Sequence, residues 1–142
     1  MPVMSLEFPF EYAQIQGFGR LFYPIVRLGV KTISGWHEFE FLVDTGADLT
    51  TLPYHFLPIL GLKKSQLRTS FTSGVGGFKV KTWDFNIILK IGAKIIKVAA
   101  SAVETKDDST PLLLGRKDIF ENKFNLQIDS KRKLTIISEN SV

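Results

Sequence analysis

The sequence predicts an all-β fold, and three observations predict it. Branched and aromatic side chains are abundant, twelve phenylalanines among them, and such side chains pack well on a pleated, half-buried surface. Short apolar runs alternate with clusters of glycine, proline, aspartate and asparagine that punctuate strands. No segment favours a long helix. At 142 residues the chain is expected to be one domain over 1–142, large enough to bury a core without disulfide or metal staples.

Taken in order, Met1 to Gln16 mixes Pro2, Phe8, Pro9, Phe10 and Tyr12 with acids. It reads as an edge strand or a loosely attached arm, with residues 1–20 peripheral. Tyr23 to Val30 places apolar residues at Tyr23, Ile25, Leu28 and Val30, a strand signal, and Ile33-Ser34-Gly35-Trp36 supplies a turn. Phe39 to Val43 is then a strand that stops at Asp44. Gly46 is expected to permit a sharp turn, Ala47 keeps that turn slim, and Leu49 to Leu52 reads as the next short strand. A carboxylate at the tip of a loop between two buried strands carries a desolvation cost unless something uses it.

Pro53 to Leu60 is a candidate short helix, with Pro53 near its start and Gly61 at its end. Arg68 to Ser73 and Phe78 to Leu89 read as two strands around the tip Gly74-Val75-Gly76-Gly77. Ile87 to Ile91, Gly92-Ala93 and Ile95 to Val103 form another hairpin, and Glu104 to Thr110 is a polar connector. The apolar stretch Pro111 to Leu114 ends at Gly115, and a short helix is expected over Arg116 to Glu121. Phe124 to Asp129 and Leu134 to Ile137 make the last hairpin around Ser130 to Lys133. Fraying is expected from Ser138 to Val142.

Composition narrows the function. The net charge of +4 is spread over several segments, and the one tight cluster, Lys131-Arg132-Lys133, falls in a predicted turn. Nucleic acid is therefore not expected as a partner. The absence of cysteine excludes thiol catalysis, disulfides and thiolate metal sites. The two histidines, His37 and His55, lack metal-ligand spacing and read as structural or surface residues, so neither a metal nor a cofactor is expected. No Gly-x-Ser-x-Gly elbow, dinucleotide fingerprint or phosphate loop occurs. The start Met1-Pro2-Val3-Met4-Ser5-Leu6-Glu7 has no basic region followed by an apolar one, and no apolar run is long enough for a bilayer. The expectation is a cytoplasmic protein without membrane contact.

On its own Asp44-Thr45-Gly46 is also an ordinary turn, since Asp and Gly favour turns. The longer string Asp44-Thr45-Gly46-Ala47-Asp48 resembles the catalytic loop of the retroviral-type, retropepsin-like aspartic proteases. Two later stretches match the same family in order. Gly74-Val75-Gly76-Gly77-Phe78 resembles the flap that closes over bound peptide, and Leu112-Leu113-Leu114-Gly115-Arg116 resembles the strand that passes beside the catalytic loop. The resemblance spans about Pro24 to Phe120. It implies a closed or partly open β-barrel with a flap hairpin and one or two short helices. It further implies that Leu114 and Gly115 pack against the loop and that Arg116 pairs with Asp48. Two features depart from the family pattern: an inserted segment from Pro53 to Leu67 and extra length at both ends.

The chemistry implied is peptide hydrolysis by a water that one carboxylate polarises while another protonates the carbonyl oxygen. Two carboxylates a few ångströms apart share one proton and divide these tasks. Only one such loop is present, because Asp107-Asp108-Ser109 and Asp118-Ile119-Phe120 lack the Thr-Gly turn and Asp84 lies in a predicted strand. The second carboxylate then comes from Asp44 of another chain, so the resemblance implies a homodimer acting on an extended peptide, with an acidic to mildly acidic optimum. Thr45 would hydrogen-bond across the axis and Gly46 would offer backbone to substrate. The alternative is a catalytically idle peptide-binding or dimerisation module on the same fold.

Overall fold

The structure, a computed structural model, describes residues 4–73, 77, 79–105 and 110–140. Among these are twelve strands: β1 (Ser5–Pro9), β2 (Glu11–Ile15), β3 (Gly19–Tyr23), β4 (Ile25–Thr32), β5 (Gly35–Val43), β6 (Thr50–Pro53), β7 (Arg68–Ser73), β8 (Lys79–Ile91), β9 (Lys94–Val103), β10 (Leu112–Leu114), β11 (Phe124–Asp129) and β12 (Leu134–Glu139). Two 3-10 helices, Tyr54–Leu60 and Lys64–Gln66, fill the segment between β6 and β7.

Seven strands form one sheet in the order β4-β5-β10-β6-β9-β8-β7. β4 also pairs with β8 through Gly29 with Lys90 and Val30 with Leu89, so the sheet curls back on itself over a short seam. The result is a partly open barrel. Alternation explains how its strands face inward: Val26, Leu28 and Val30 of β4 are buried while Arg27 and Lys31 point out. Phe41, Leu89, Ile91, Val98, Leu114, Ile119, Phe124 and Ile137 complete the main core. Fully burying side chains of this size contributes roughly 1.5–3 kcal/mol each relative to exposure.

The inserted segment builds a smaller core. Leu57, Trp83 and Ala102 are buried together, with Tyr54, Leu62 and Leu67 packed around them. Pro53 is extended (φ −63°, ψ 143°) and precedes the helix, and Gly61 ends it at φ 75°. The Gly61 N–H donates to Pro58 O at 3.0 Å, which satisfies a carbonyl at the helix end.

Several boundaries differ from the sequence-based expectation. The stretch from Tyr23 to Val30 is divided by Pro24, which has no N–H to give a ladder; its carbonyl accepts the Val43 N–H at 2.9 Å. Phe78 to Leu89 and Ile87 to Ile91 were expected as separate strands, yet from Lys79 to Ile91 they are one thirteen-residue strand that meets β7, β9 and β4 in turn. Residues Glu11–Ile15 and Gly19–Tyr23 form a hairpin of their own, turning through Gly17 (φ 85°) and Gly19 (φ 78°). Ser5–Pro9 is an edge strand beside β12, in a sheet ordered β1-β12-β11. That ladder continues through Ser138 and Glu139, where fraying was expected, because β11 supplies a partner strand along the whole of β12.

The expected helix over Arg116 to Glu121 is replaced by a series of turns. Asp118 adopts φ 66°, a left-handed conformation that no α-helix tolerates in its interior. Its carboxylate compensates by accepting the Ala99 N–H at 2.9 Å, one residue before β6 begins pairing with β9.

Candidate active site

The loop that leaves β5 is built mainly by backbone. The Asp44 N–H donates to Leu114 O at 3.0 Å, and the Ala47 N–H closes a turn on Asp44 O at 3.1 Å. Asp44 itself is half-buried, and its Oδ1 accepts the Gly46 N–H at 3.0 Å. Gly46 is not in the left-handed region, so the sharp-turn role expected of it is not what requires glycine here. A Cβ at Gly46 would lie 3.3 Å from Asp44 Oδ1, a tight contact with that carboxylate. The carboxylate thus keeps an uncrowded flank beside its backbone donor.

A second segment clamps this loop from the far side. The Arg116 N–H donates to Ala47 O at 3.1 Å and the Lys117 N–H to Asp48 O at 3.0 Å. The Arg116 guanidinium donates to Thr45 O at 2.9 Å and forms an ion pair with Asp48 Oδ1. Gly115 sits against the start of β6, with its N–H on Thr50 Oγ1 at 3.2 Å. A Cβ there would come within 2.5 Å of Leu49 O and 2.8 Å of Thr50 N, so only glycine fits. Leu114, fully buried, pairs in parallel with Val43 immediately before Asp44. These bonds join loop and clamp into one unit made from residues about 70 apart in sequence.

Beside this unit lies a cleft of about 490 Å³. Gly46, Ala47 and Asp48 form one wall. Ser70 and Phe71 from β7, Thr82 and Asp84 from β8, and Ser101 and Val103 from β9 form the other. The Asp84 carboxylate collects three hydroxyls there: Ser70 on Oδ2 at 2.5 Å, and Ser101 at 3.0 Å and Thr82 at 3.3 Å on Oδ1. Asp84, set aside above as a catalytic candidate because it lies in a strand, draws these partners from three strands, so no contiguous motif marks the cluster. The signal available was its register, since cross-strand pairing sets Asp84 opposite both Ser101 and Arg68.

Of the flap residues, Gly77 is exposed with φ 81°; Gly74, Val75, Gly76 and Phe78 lie outside the described residues. His37 bonds Ser34 Oγ at 2.8 Å on the turn before β5. Among the described residues no three His, Asp or Glu side chains gather in a way that could hold a metal ion, and no helix is long and apolar enough to cross a membrane.

A family model described as aspartyl protease matches residues 31–117, which is more than half of the chain and contains both loop and clamp. The chain belongs to the aspartyl protease family. Its fold is retropepsin-like: it is similar to a retropepsin-like aspartic protease from Rickettsia conorii, at 19% identity and a TM-score of 0.63, over 98% of this chain and 96% of that one. It is also similar to the EIAV protease complexed with the inhibitor HBY-793, at 23% identity and a TM-score of 0.50, over 66% of this chain and 82% of that one. No curated protein matches the sequence. Within this aspartyl protease fold, the Pro53 to Leu67 segment packs Leu57, Tyr54, Leu62 and Leu67 against Trp83 of β8 and Ala102 of β9.

Proposed function

We propose that this chain is a single-domain aspartic endopeptidase that hydrolyses peptide bonds with a water activated by two Asp44 carboxylates, one from each subunit of a homodimer. The observation that carries the reading is the state of Asp44. It is half-buried, bonded to the Gly46 N–H, and mounted on a loop fixed by Leu114, Gly115 and Arg116. Such fixing matters because misplacing a reacting group by an ångström costs heavily in rate.

In this reading one Asp44 accepts a proton from water as the oxygen attacks and the other donates one to the scissile carbonyl oxygen; on collapse the C–N bond breaks, the first carboxyl gives its proton to the leaving amine, and the second recovers its proton from the intermediate's hydroxyl. Thr45 bonds across the two-fold axis, and Gly46 and Ala47 present backbone to the substrate. Asp48 and Arg116 hold the loop, and Gly74, Val75, Gly76, Gly77 and Phe78 form the flap that excludes water. The peptide lies extended, recognised by strand-like main-chain hydrogen bonds.

The test is cleavage of a mixed peptide library by purified protein, assayed from acidic to mildly acidic pH, about pH 4 to 6, because activity requires the pair to share one proton. Asp44→Asn should abolish turnover, and specific activity should fall on dilution as subunits part. Cleavage that survives Asp44→Asn, or activity independent of concentration in a strictly monomeric protein, would overturn the reading. Peptide binding without turnover in the unmodified protein would leave the idle module in its place.

A further inference from the structure

We propose that Asp84 is a specificity residue: its carboxylate receives a lysine or arginine side chain of the peptide bound in the cleft beside the Asp44 loop. The inference rests on the protease reading above and adds the class of side chain the cleft selects.

Among the described residues two carboxylates line this cleft, Asp48 and Asp84. Asp48 is engaged by Arg116. Asp84 has no cationic partner among the described residues; its contacts are the hydroxyls of Ser70, Thr82 and Ser101. Arg68 stands opposite it in the ladder yet forms no ion pair with it, and its side chain is exposed. An ionised carboxylate offers about four acceptor positions; the Ser70 and Ser101 hydroxyls take two, and the Thr82 hydroxyl, which also reaches Ser70 O at 3.3 Å, takes at most a third, leaving Oδ2 of this cleft-lining residue able to accept again. The same three hydroxyls hold the group in place on three strands, so no reorganisation is needed when a cation arrives.

The remaining walls suit a long basic side chain. Phe71 and Val103 border the cleft and can cover an aliphatic stem, while the ammonium or guanidinium head meets Asp84 in a charge-assisted bond. A glutamate would meet two carboxylates instead, and a leucine would leave Asp84 solvated but unpaired. The cleft should therefore discriminate by charge, with acidic side chains excluded most strongly.

A purely structural Asp84, tying β7, β8 and β9 together, would affect folding and not selectivity, so the experiment reads selectivity. Peptides that differ at one position in carrying Lys, Arg, Leu or Glu are compared for kcat/KM with unmodified protein and Asp84→Asn, which keeps the side chain's size. In parallel, binding of the same peptides is measured with Asp44→Asn protein, with and without Asp84→Asn. At one substrate position the unmodified protein should prefer Lys or Arg to Leu, and Asp84→Asn should reduce that ratio by about tenfold, the loss of one charge-assisted hydrogen bond. Melting temperature monitors folding. A ratio unchanged in a folded Asp84→Asn protein, or no position preferring a cation, overturns the assignment while leaving peptide hydrolysis standing. If nothing is cleaved but Asp44→Asn protein binds Lys peptides through Asp84, hydrolysis fails and the assignment holds; if no peptide is bound either, both fail.

Discussion

Gly115 lies so close to the backbone of Leu49 that no side chain can stand between them, a Cβ there falling 2.5 Å from Leu49 O. The contact sets how near the clamp comes to the Asp44 loop. Gly115→Ala must push apart two backbones rather than a flexible side chain. We expect a loss of roughly 3 kcal/mol, at the upper end of overpacking costs, read as a lower urea midpoint, with activity falling further than stability.

Arg116 should matter more to function than to folding. The Asp48 side chain is 87% exposed and that of Arg116 47%, so solvent screens the ion pair and its own contribution stays below about 1 kcal/mol. The guanidinium nevertheless holds Thr45 O and Asp48 together with two arms of one planar group. Arg116→Lys keeps the charge but not the fork, so kcat/KM should drop about as much as in Arg116→Ala while both variants melt near the unmodified protein. Restoration of activity by lysine would show that charge alone is required.

Asp118 separates two costs that a single substitution would merge. Its φ of 66° favours glycine or asparagine, and its carboxylate satisfies the Ala99 N–H. Asp118→Asn keeps both features and should be nearly neutral. Asp118→Gly keeps only the backbone freedom and should lose about 1–2 kcal/mol for the orphaned donor. Asp118→Ala loses both and should be the least stable of the three in denaturant unfolding.

The β11–β12 turn carries a pH signature. Asp129 is held below the usual carboxylate range, first by the Arg132 backbone N–H and then by the Arg132 side chain; the same contact holds Arg132 above its ordinary value. A carboxyl whose folded pKa is depressed adds stability above its unfolded pKa, about 4, and that contribution is lost as pH falls toward the folded value. The melting-temperature gap between the unmodified protein and Asp129→Asn should accordingly narrow as pH drops below about 4. A gap that widens in acid would contradict the assignment.

Strands whose burial alternates and whose ends carry turn residues were legible from sequence; Phe124–Asp129 occupies the range its pattern implied. The β2–β3 hairpin was not, because Glu11, Gln14 and Arg20 interrupt its apolar pattern and the decisive cue was the pair Gly17 and Gly19 at positive φ. Arg116 to Glu121 had helix-forming residues, but a long-range bond from Asp118 to Ala99 outweighed local propensity. In the candidate site, the residues contiguous in sequence around Asp44 could be named directly. The Asp84 cluster could not, since Ser70, Thr82 and Ser101 meet only after three strands are in register.

β8 runs without a break from the cleft to the barrel seam, with Asp84 on one part and Leu89, paired to Val30, on the other. Four residues of a single extended rail separate a cleft-lining carboxylate from a fully buried closure point. Occupancy of the cleft should therefore be felt at the seam, as slower amide exchange at Val30 and Leu89, far from any atom the occupant touches.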